Sequence, residues 1–331
     1  MHKAYDLWPE IATKQYEAGL DGIDFEKTSH VVFAGMGGSG AISDIFSAIL
    51  SKTDIHVDVV KGYQLPKTVD SDSLVVTTSV SGNTEETLNV LNSASELKCK
   101  IIAFSNGGKM QKYCINRGLK HRNVPMTHSP RASFPSFLFS MIRVLEQFLP
   151  IEKNDVIDSL EKLRKQKEKI SSHNLNDENP AISLAKQIED IPLVYYPLGL
   201  QAAAIRFKNS LQENVKMHVI TENIIEASHN GICAWEQPSN IKPFLIQGKD
   251  DHFKTKERCE IMKKFFIEKN ITFSQIHSVE GSILSKLINL IYLLDYATIY
   301  RAVLFERDPT PVNSIDYIKE QLLNNKNNSK I

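Results

Sequence analysis

The sequence predicts an α/β fold of two doubly wound, mainly parallel β-sheets, each flanked by helices. Two observations predict this class. In the first half of the 331 residues, short apolar runs of strand length alternate with segments that carry apolar residues at helical spacing. In the second half, beyond a densely charged segment, the same alternation begins again. Strands that alternate with helices are typical of a parallel sheet with helices on both faces.

Four strands are predicted in the first half, each followed by a helix or a turn. They are Val31–Ala34, Val57–Val60, Leu74–Thr78 and Lys100–Phe104. A long apolar helix is predicted over Phe134–Leu149, and Pro150 ends it. The segment Glu152–Ser172 then combines many charges with apolar residues at helical spacing, and a polar loop follows it. The domain boundary is predicted here, between a domain of 1–150 and a domain of 151–331.

The second half is predicted to repeat the plan of the first. A strand, a glycine turn and a helix come first, and further strands and helices follow. The predicted strands are Ile191–Tyr196, Phe244–Gln247 and Thr272–Ile276, and the predicted helices are Gln201–Lys216, Lys256–Lys269 and Ile283–Phe305.

A hydroxyl-rich loop follows the strand that begins at Leu74. Ser79, Ser81 and Thr84 lie where this strand ends and the next helix begins. Helix N-termini present unpaired N–H groups and the positive end of the helix dipole, which suits an anion such as phosphate. Serine and threonine are also ordinary helix caps, so this loop alone indicates a cap and a phosphate site about equally.

A glycine loop follows the strand that begins at Val31. Gly35, Gly37 and Gly40 match the dinucleotide-binding fingerprint, and Asp58 lies at the distance of a ribose-binding acid. That interpretation leaves the hydroxyl-rich loop without a role. Loops at the ends of neighbouring parallel strands face one crevice. We therefore favour one ligand site that the glycine loop and the hydroxyl-rich loop share over a dinucleotide site. On the glycine side of this site, the backbone could approach the ligand closely at Gly37, Gly38 and Ser39.

Together the two loops resemble the sugar isomerase (SIS) domain, which binds phosphosugars. The turn of the second copy lacks these glycines and hydroxyls, so only the first copy is expected to hold phosphate. Three further segments, Arg206–Lys216, Glu226–Asn230 and Asp308–Val312 with Lys319 beyond it, extend the resemblance over nearly the whole chain. With them the sequence resembles the bifunctional phosphoglucose/phosphomannose isomerase family.

The resemblance implies two SIS-type domains and an aldose–ketose isomerase that uses neither metal nor cofactor. Its substrates would be glucose 6-phosphate, mannose 6-phosphate and fructose 6-phosphate. Glu213 matches the family's carbon acid/base, and Arg131 the arginine that stabilises the enediolate. His229 matches the group that assists ring opening, and Lys319 its counterpart at the ring oxygen. The phosphate clamp matches Ser79, Ser81 and Thr84, and the substrate loop matches Gly37, Gly38 and Ser39.

The chemistry of an enediol route agrees with these residue types. One carboxylate can move a proton between adjacent carbons, an arginine can stabilise the oxyanion, and a histidine can donate and accept protons near neutral pH. Each residue also has an ordinary explanation. Glu213, for example, lies on a predicted helix and can pair there with Lys208 or Lys216. Three positions depart from the family pattern: Gln212 replaces Asn, Val80 replaces Tyr and Gly231 replaces Glu.

Composition excludes several partner classes. Thirty-nine basic and thirty-nine acidic residues give no net field for nucleic acid or an anionic membrane. Four scattered cysteines argue against a disulfide framework or a zinc site and favour a reducing cytoplasm. The apolar stretch Leu287–Tyr300 is interrupted by Asp295, and the N-terminus lacks the apolar core of a signal peptide, so a soluble protein is expected.

The resemblance also bears on the assembly of the protein, and two other functions are compatible with parts of the sequence. The resemblance implies a homodimer whose active sites are shared between subunits. A non-catalytic SIS regulator is an alternative, although the chain has neither a basic stretch nor a helix-turn-helix pattern. An NAD-linked dehydrogenase is supported only by Gly35, Gly37 and Gly40.

Overall fold

Two parallel sheets flanked by helices make up the structure, a computed structural model that describes residues 1–23 and 28–328. The first sheet has five strands in the order β2-β1-β3-β4-β5 and the second has four in the order β7-β6-β8-β9. Every strand pair in both sheets is parallel. The strands are β1 His30–Ala34, β2 His56–Val60, β3 Leu74–Ser79, β4 Lys100–Ser105, β5 Lys120–Asn123, β6 Ile191–Tyr196, β7 Ile220–Asn223, β8 Ile241–Gln247 and β9 Ser274–His277.

The two sheets share one strand order. In each sheet the first strand along the chain lies between the second and the third, and the fourth lies beyond the third. This confirms the predicted α/β class and the restart of the pattern. The described helices are α1 His2–Asp6, α2 Trp8–Tyr16, α3 Gly38–Leu50, α4 Glu85–Glu96, α5 Gly108–Arg117, α6 Phe134–Val144, α7 Lys153–Ile170, α8 Pro180–Gln187, α9 Gln201–Ser210, α10 Ile224–Ala227, α11 Phe253–Glu268, α12 Ile283–Leu304 and α13 Asn313–Asn328.

Some predicted element boundaries were wrong. α6 ends at Val144 rather than Leu149. The helix predicted over Gln201–Lys216 changes at Ser210 into a π-helical turn, Leu211–Val215. Lys216 ends that turn with a left-handed backbone (φ 62°), so the helix cannot continue.

One continuous apolar core joins the two sheets. It includes Trp8 of α2, Phe33 of β1 and Tyr292 of α12, all fully buried. Trp8 stacks on the ring of Tyr292 with centroids 5.4 Å apart, so the N-terminal helices pack on the C-terminal half. The boundary proposed near residue 150 stays a prediction, because this core crosses it.

α12 is long and apolar enough to cross a membrane by length and composition alone. However, 83% of its most apolar window is buried inside the protein. It packs against α7, α8 and α9, as the central helix of a folded core does.

The cysteines are unpaired, as the sequence predicted. Burial raises the pKa values of the Cys114 and Cys259 thiols to about 11, which keeps both in the unreactive thiol form at neutral pH. The cytoplasmic location inferred from cysteine usage stays a prediction.

Candidate active site

The glycine loop and the hydroxyl loop follow β1 and β3, which are neighbours in the first sheet. Because the strands are parallel, both loops lie at the same edge of the sheet. A Cβ at Gly35 would lie 2.9 Å from Cβ of Ser39 and 3.1 Å from the carbonyl oxygen of Thr78, so only glycine fits there. Gly37 has φ +54° and begins α3. The predicted shared crevice is thus consistent with the strand order.

The hydroxyl loop is held by its own side chains. Ser79 Oγ lies 2.8 Å from Thr84 Oγ1, and Ser81 Oγ accepts a hydrogen bond of 3.2 Å from the Asn83 N–H. Thr84 is the N-cap residue of α4, yet its side chain makes no capping hydrogen bond. Thr84 therefore occupies the cap position without closing the cap with its side chain, and its hydroxyl lies with that of Ser79 beside the positive end of the helix dipole.

Arg131 and Glu213 form an ion pair across the two halves of the chain. Arg131 Nη1 donates to Glu213 Oε2 at 3.0 Å, and Arg131 Nη2 donates to the carbonyl oxygen of Thr310 at 2.6 Å. The Arg131 side chain is 8% exposed, whereas that of Glu213 is 29% exposed. One face of the carboxylate therefore remains open while the guanidinium is fixed beneath it.

The lysine neighbours of Glu213 do not neutralise its carboxylate. Lys216 Nζ instead donates to the backbone carbonyls of Glu213 and Pro311, the latter at 2.9 Å. Burial, reinforced by the charge of Arg131, lowers the pKa of Lys216. The ordinary explanation, in which Glu213 pairs with a lysine one turn away, does not hold, because its carboxylate pairs with Arg131 instead.

A buried network fixes the segment that carries Arg131. Arg206 Nη2 donates to the Arg131 carbonyl at 2.9 Å and to Asp295 Oδ2 at 2.7 Å. Asp295 is fully buried and also accepts a hydrogen bond of 2.6 Å from Ser210 Oγ. On the other side, Trp8 Nε1 donates to the Ala132 carbonyl at 3.0 Å. The backbone on both sides of the Arg131–Ala132 peptide is therefore anchored.

Charge pairing keeps Arg206 ionised inside the core. Burial alone would lower the pKa of Arg206, but the Asp295 carboxylate raises it above its usual range. Sequence reasoning missed this pair. Its one signal was a charged residue, Asp295, inside the apolar stretch Leu287–Tyr300. A side chain at Gly38 would approach Arg206 Nη1 to 3.3 Å, so the glycine loop packs directly on this network.

An open cleft of ≈ 740 Å³ lies beside the Glu213 carboxylate. Gly37 contributes one wall, and the π-helical turn contributes another through Gln212 and Glu213. The segment 311–315, which leads into α13, also lines the cleft. A second cleft of ≈ 550 Å³ is lined by Ser228 and residues of α11 and contains none of the predicted site residues.

His229 and Lys319 are not brought to this cleft. Both side chains are exposed. The backbone N–H of His229 donates to the Glu226 carbonyl at 2.9 Å, and Lys319 Nζ lies 3.7 Å from Asp316 on its own helix. Over residues 1–23 and 28–328, no hydrogen bond or ion pair joins either residue to Glu213.

The three departures from the family pattern have distinct environments. Val80 is buried in the main core, 5% exposed, so it does not project into the hydroxyl loop. Gly231 lies beside Glu222, and a Cβ there would be 2.7 Å from its Oε1. Gln212 lines the cleft. Of the three, only Gln212 lines the cleft beside Glu213.

Comparisons with known proteins match each half of the chain to a family model. The SIS domain model matches residues 24–129, and the model of the bacterial phospho-glucose isomerase C-terminal SIS domain matches 177–322. Among solved structures, a hypothetical protein from Thermus thermophilus has a TM-score of 0.76 at 15% identity, over 98% of this chain and 90% of that one, which shows a shared fold.

Two curated relatives extend the similarity to sequence. The bifunctional phosphoglucose/phosphomannose isomerase of Aquifex aeolicus is 30% identical over 88% of this chain and 90% of its own length. That of Caldicellulosiruptor bescii is 31% identical over 330 residues, which cover 96% of this chain and 97% of the relative. On this similarity, the chain belongs to the bifunctional phosphoglucose/phosphomannose isomerase family.

Proposed function

We propose that this protein interconverts glucose 6-phosphate and mannose 6-phosphate with fructose 6-phosphate through an enediol intermediate. The observation that carries the proposal is the Arg131–Glu213 pair. A partly exposed carboxylate opens onto a cleft, and a buried guanidinium lies 3.0 Å behind it. This arrangement provides a base for a carbon-bound proton and a fixed positive charge for the oxyanion that forms when the proton leaves.

In the proposed reaction, Glu213 removes the proton from C2 of the open-chain aldose and returns it to C1, while the proton of the C2 hydroxyl passes to the C1 oxygen. The negative charge that develops on the substrate oxygen is stabilised by Arg131. Its Nε is buried and has no hydrogen-bond partner among the described residues, so one donor of the guanidinium is not committed to the protein. Arginine suits this role because it stays protonated throughout the reaction.

The phosphate group of the substrate is proposed to bind at the hydroxyl loop. Ser79, Ser81 and Thr84 would donate their hydroxyls, and the start of α4 would add backbone donors and the helix dipole. Gly37, Gly38 and Ser39 would line the sugar side, where Gly37 already forms part of the cleft wall.

Replacing Thr84 with Val is expected to weaken binding of fructose 6-phosphate by about 1–3 kcal/mol, because one or two hydrogen bonds to phosphate are lost. The KM measured for fructose 6-phosphate should rise accordingly. The free energy of unfolding should fall by about 1 kcal/mol, because the Ser79–Thr84 hydrogen bond is lost and there is no capping bond to lose. Ser282→Ala is the matched control: Ser282 does cap α12, so its loss should cost about 1 kcal/mol of stability and leave KM unchanged. An unaltered KM in Thr84→Val would place the phosphate elsewhere.

His229 and Lys319 are proposed to complete the site of a second copy of the chain, where they would assist opening of the sugar ring. Two observations support this. Both side chains are exposed and separate from Glu213 in their own chain. Apolar side chains are also exposed at the end of α12 and along α13, namely Val303, Leu304, Phe305, Ile315, Tyr317, Ile318 and Leu322. An exposed apolar patch of this kind is typical of a protein–protein interface.

Mixing two inactive variants tests the shared site. If His229 serves the partner's Glu213, then subunit exchange between Glu213→Gln and His229→Ala chains is expected to regenerate part of the wild-type activity, since half of the mixed sites contain both residues. Exchange should be verified independently with chains carrying different tags. Full exchange without recovered activity would put both residues in the site of one subunit.

A coupled assay tests the function itself. Fructose 6-phosphate should form from glucose 6-phosphate and from mannose 6-phosphate. The regulator alternative predicts a different outcome, in which a phosphosugar binds by calorimetry but neither aldose is converted.

A further inference from the structure

Three side chains that the proposed reaction does not use meet at the opposite end of the first sheet. His30 begins β1 and His56 begins β2, and the two residues are direct partners in the parallel register. Asp58 lies two residues beyond His56 on the same face of the strand. His30 Nε2 lies 2.9 Å from Asp58 Oδ2, and His56 Nε2 lies 3.5 Å from the same oxygen. Candidate ligand atoms of the three residues all lie within 4.8 Å of one another.

Two partners hold the His30 ring through its two nitrogens. Nδ1 lies 3.2 Å from Ser73 Oγ, and Nε2 lies 2.9 Å from Asp58 Oδ2. Ser73 Oγ also lies 2.9 Å from Asp70 Oδ1, to which it can donate its own proton. When the Nδ1–H of His30 donates to Ser73, the Nε2 lone pair faces Asp58 and is free to bind a cation.

We infer that His30, His56 and Asp58 bind one divalent transition-metal ion, for which Zn²⁺ is the best match. Two imidazole nitrogens and a carboxylate oxygen are common zinc ligands, with bonds of about 2.0–2.2 Å. Tetrahedral geometry at that bond length puts ligand atoms about 3.3 Å apart, which lies between the observed 2.9 and 3.5 Å. His56 is 66% exposed, so the fourth position faces solvent and suits water.

The surroundings of His30 resemble those of a histidine that ligates a metal. A ligating histidine usually donates its other ring N–H to a fixed acceptor, which sets the tautomer and the ring orientation. Here Ser73 is that acceptor, and Asp70 orients it through the backbone N–H of Ser73 as well as through its hydroxyl. All three metal ligands come from strands, which hold them more rigidly than loops would.

The site is structural rather than catalytic. β1 runs from His30 to Ala34, and a strand rises about 3.3 Å per residue, so the cluster lies roughly 13 Å from the strand end that carries the glycine loop. β2 is an edge strand, bonded within the sheet to β1 alone. A metal that joins His30 of β1 to two residues of β2 would fasten this edge. The sequence does not show the site, because His30 and Asp58 are 28 positions apart.

Zinc titration of the full chain, after treatment with EDTA and removal of the chelator, tests the inference. Calorimetry is expected to find one tight site per chain, and saturating zinc should raise Tm by about 2–5 °C. His56→Asn and Asp58→Asn should each weaken zinc binding at least about 100-fold, more than the loss of an outer-shell partner usually does. His277→Asn is the matched control, because His277 is an exposed histidine on β9, the edge strand of the second sheet; it should bind zinc like wild type.

Two further measurements separate this site from its rivals. Co²⁺ bound in place of zinc should show ligand-field bands without a thiolate charge-transfer band, whereas binding by cysteines would show one. Isomerase activity should be equal in the metal-free protein, the zinc-loaded protein and His56→Asn. Absence of a tight site, equal affinity in wild type and His56→Asn, or a thiolate band would overturn the metal site. Loss of activity on metal removal would overturn its structural role.

Discussion

Glu213→Gln is expected to lower kcat for fructose 6-phosphate by about 10²- to 10⁴-fold, with KM nearly unchanged. The substitution keeps the size of the side chain and an oxygen that can accept the hydrogen bond from Arg131 Nη1. It removes only the ability to hold a proton taken from carbon. Steady-state kinetics give both constants, and exchange of the C1 or C2 hydrogen with labelled water should fall in parallel, because it reports the carbon proton transfer directly.

Glu146→Gln provides a matched control. Glu146 is also a partly exposed glutamate that pairs with an arginine, Arg143, but it lies just beyond the C-terminal end of α6 and does not line the cleft. Glu146→Gln should leave kcat within about twofold of wild type, because an exposed ion pair contributes little to the free energy of folding. If Glu213→Gln retains more than a tenth of wild-type activity while its Tm and phosphosugar binding are normal, Glu213 is not the carbon base.

The central strands of both sheets could be predicted because their residue types favour a buried strand over a helix or a loop. Val75 and Phe244, for example, are buried in strands that have neighbours on both sides, and each lies in an apolar run, Leu74–Val76 and Phe244–Ile246. β5 and β7 escaped prediction for the opposite reason. Each is an edge strand, and Lys120–Asn123 and Ile220–Asn223 carry polar residues that are at least partly exposed. Each of them is held in the sheet by hydrogen bonds to one neighbouring strand. Such pairing does not require an apolar run in the sequence.

The site was predictable only where function restricts a short motif. The glycine and hydroxyl loops are such motifs, and their position follows from the parallel strand order. The partner of Glu213 was not predictable from helix spacing, because Arg131 is 82 positions away. Arg206 and Asp295, 89 positions apart, were missed for the same reason. Tertiary packing creates these pairs, and local propensity contains no information about them.

Arg131→Lys is expected to lower kcat by about 10²- to 10³-fold, the usual cost of removing a donor that stabilises a developing oxyanion. The positive charge remains, but the geometry does not. The guanidinium of Arg131 contacts Glu213 through Nη1 and the Thr310 carbonyl through Nη2, and its Nε has no partner within residues 1–23 and 28–328. A lysine ammonium is a single compact charge and cannot replace N–H donors that point in three separate directions. Arg143→Lys, in the exposed Arg143–Glu146 pair, is the control and should retain full activity.

The double variant Glu213→Gln/Arg131→Lys distinguishes a catalytic unit from two independent residues. If Arg131 stabilises only the charge that Glu213 creates, then once Glu213 cannot take the proton there is little charge left to stabilise. The double variant should then be no more than about tenfold slower than Glu213→Gln alone, far less than the product of the two single losses. Losses that multiply fully would show that Arg131 acts on a step that does not involve Glu213, such as binding or ring opening.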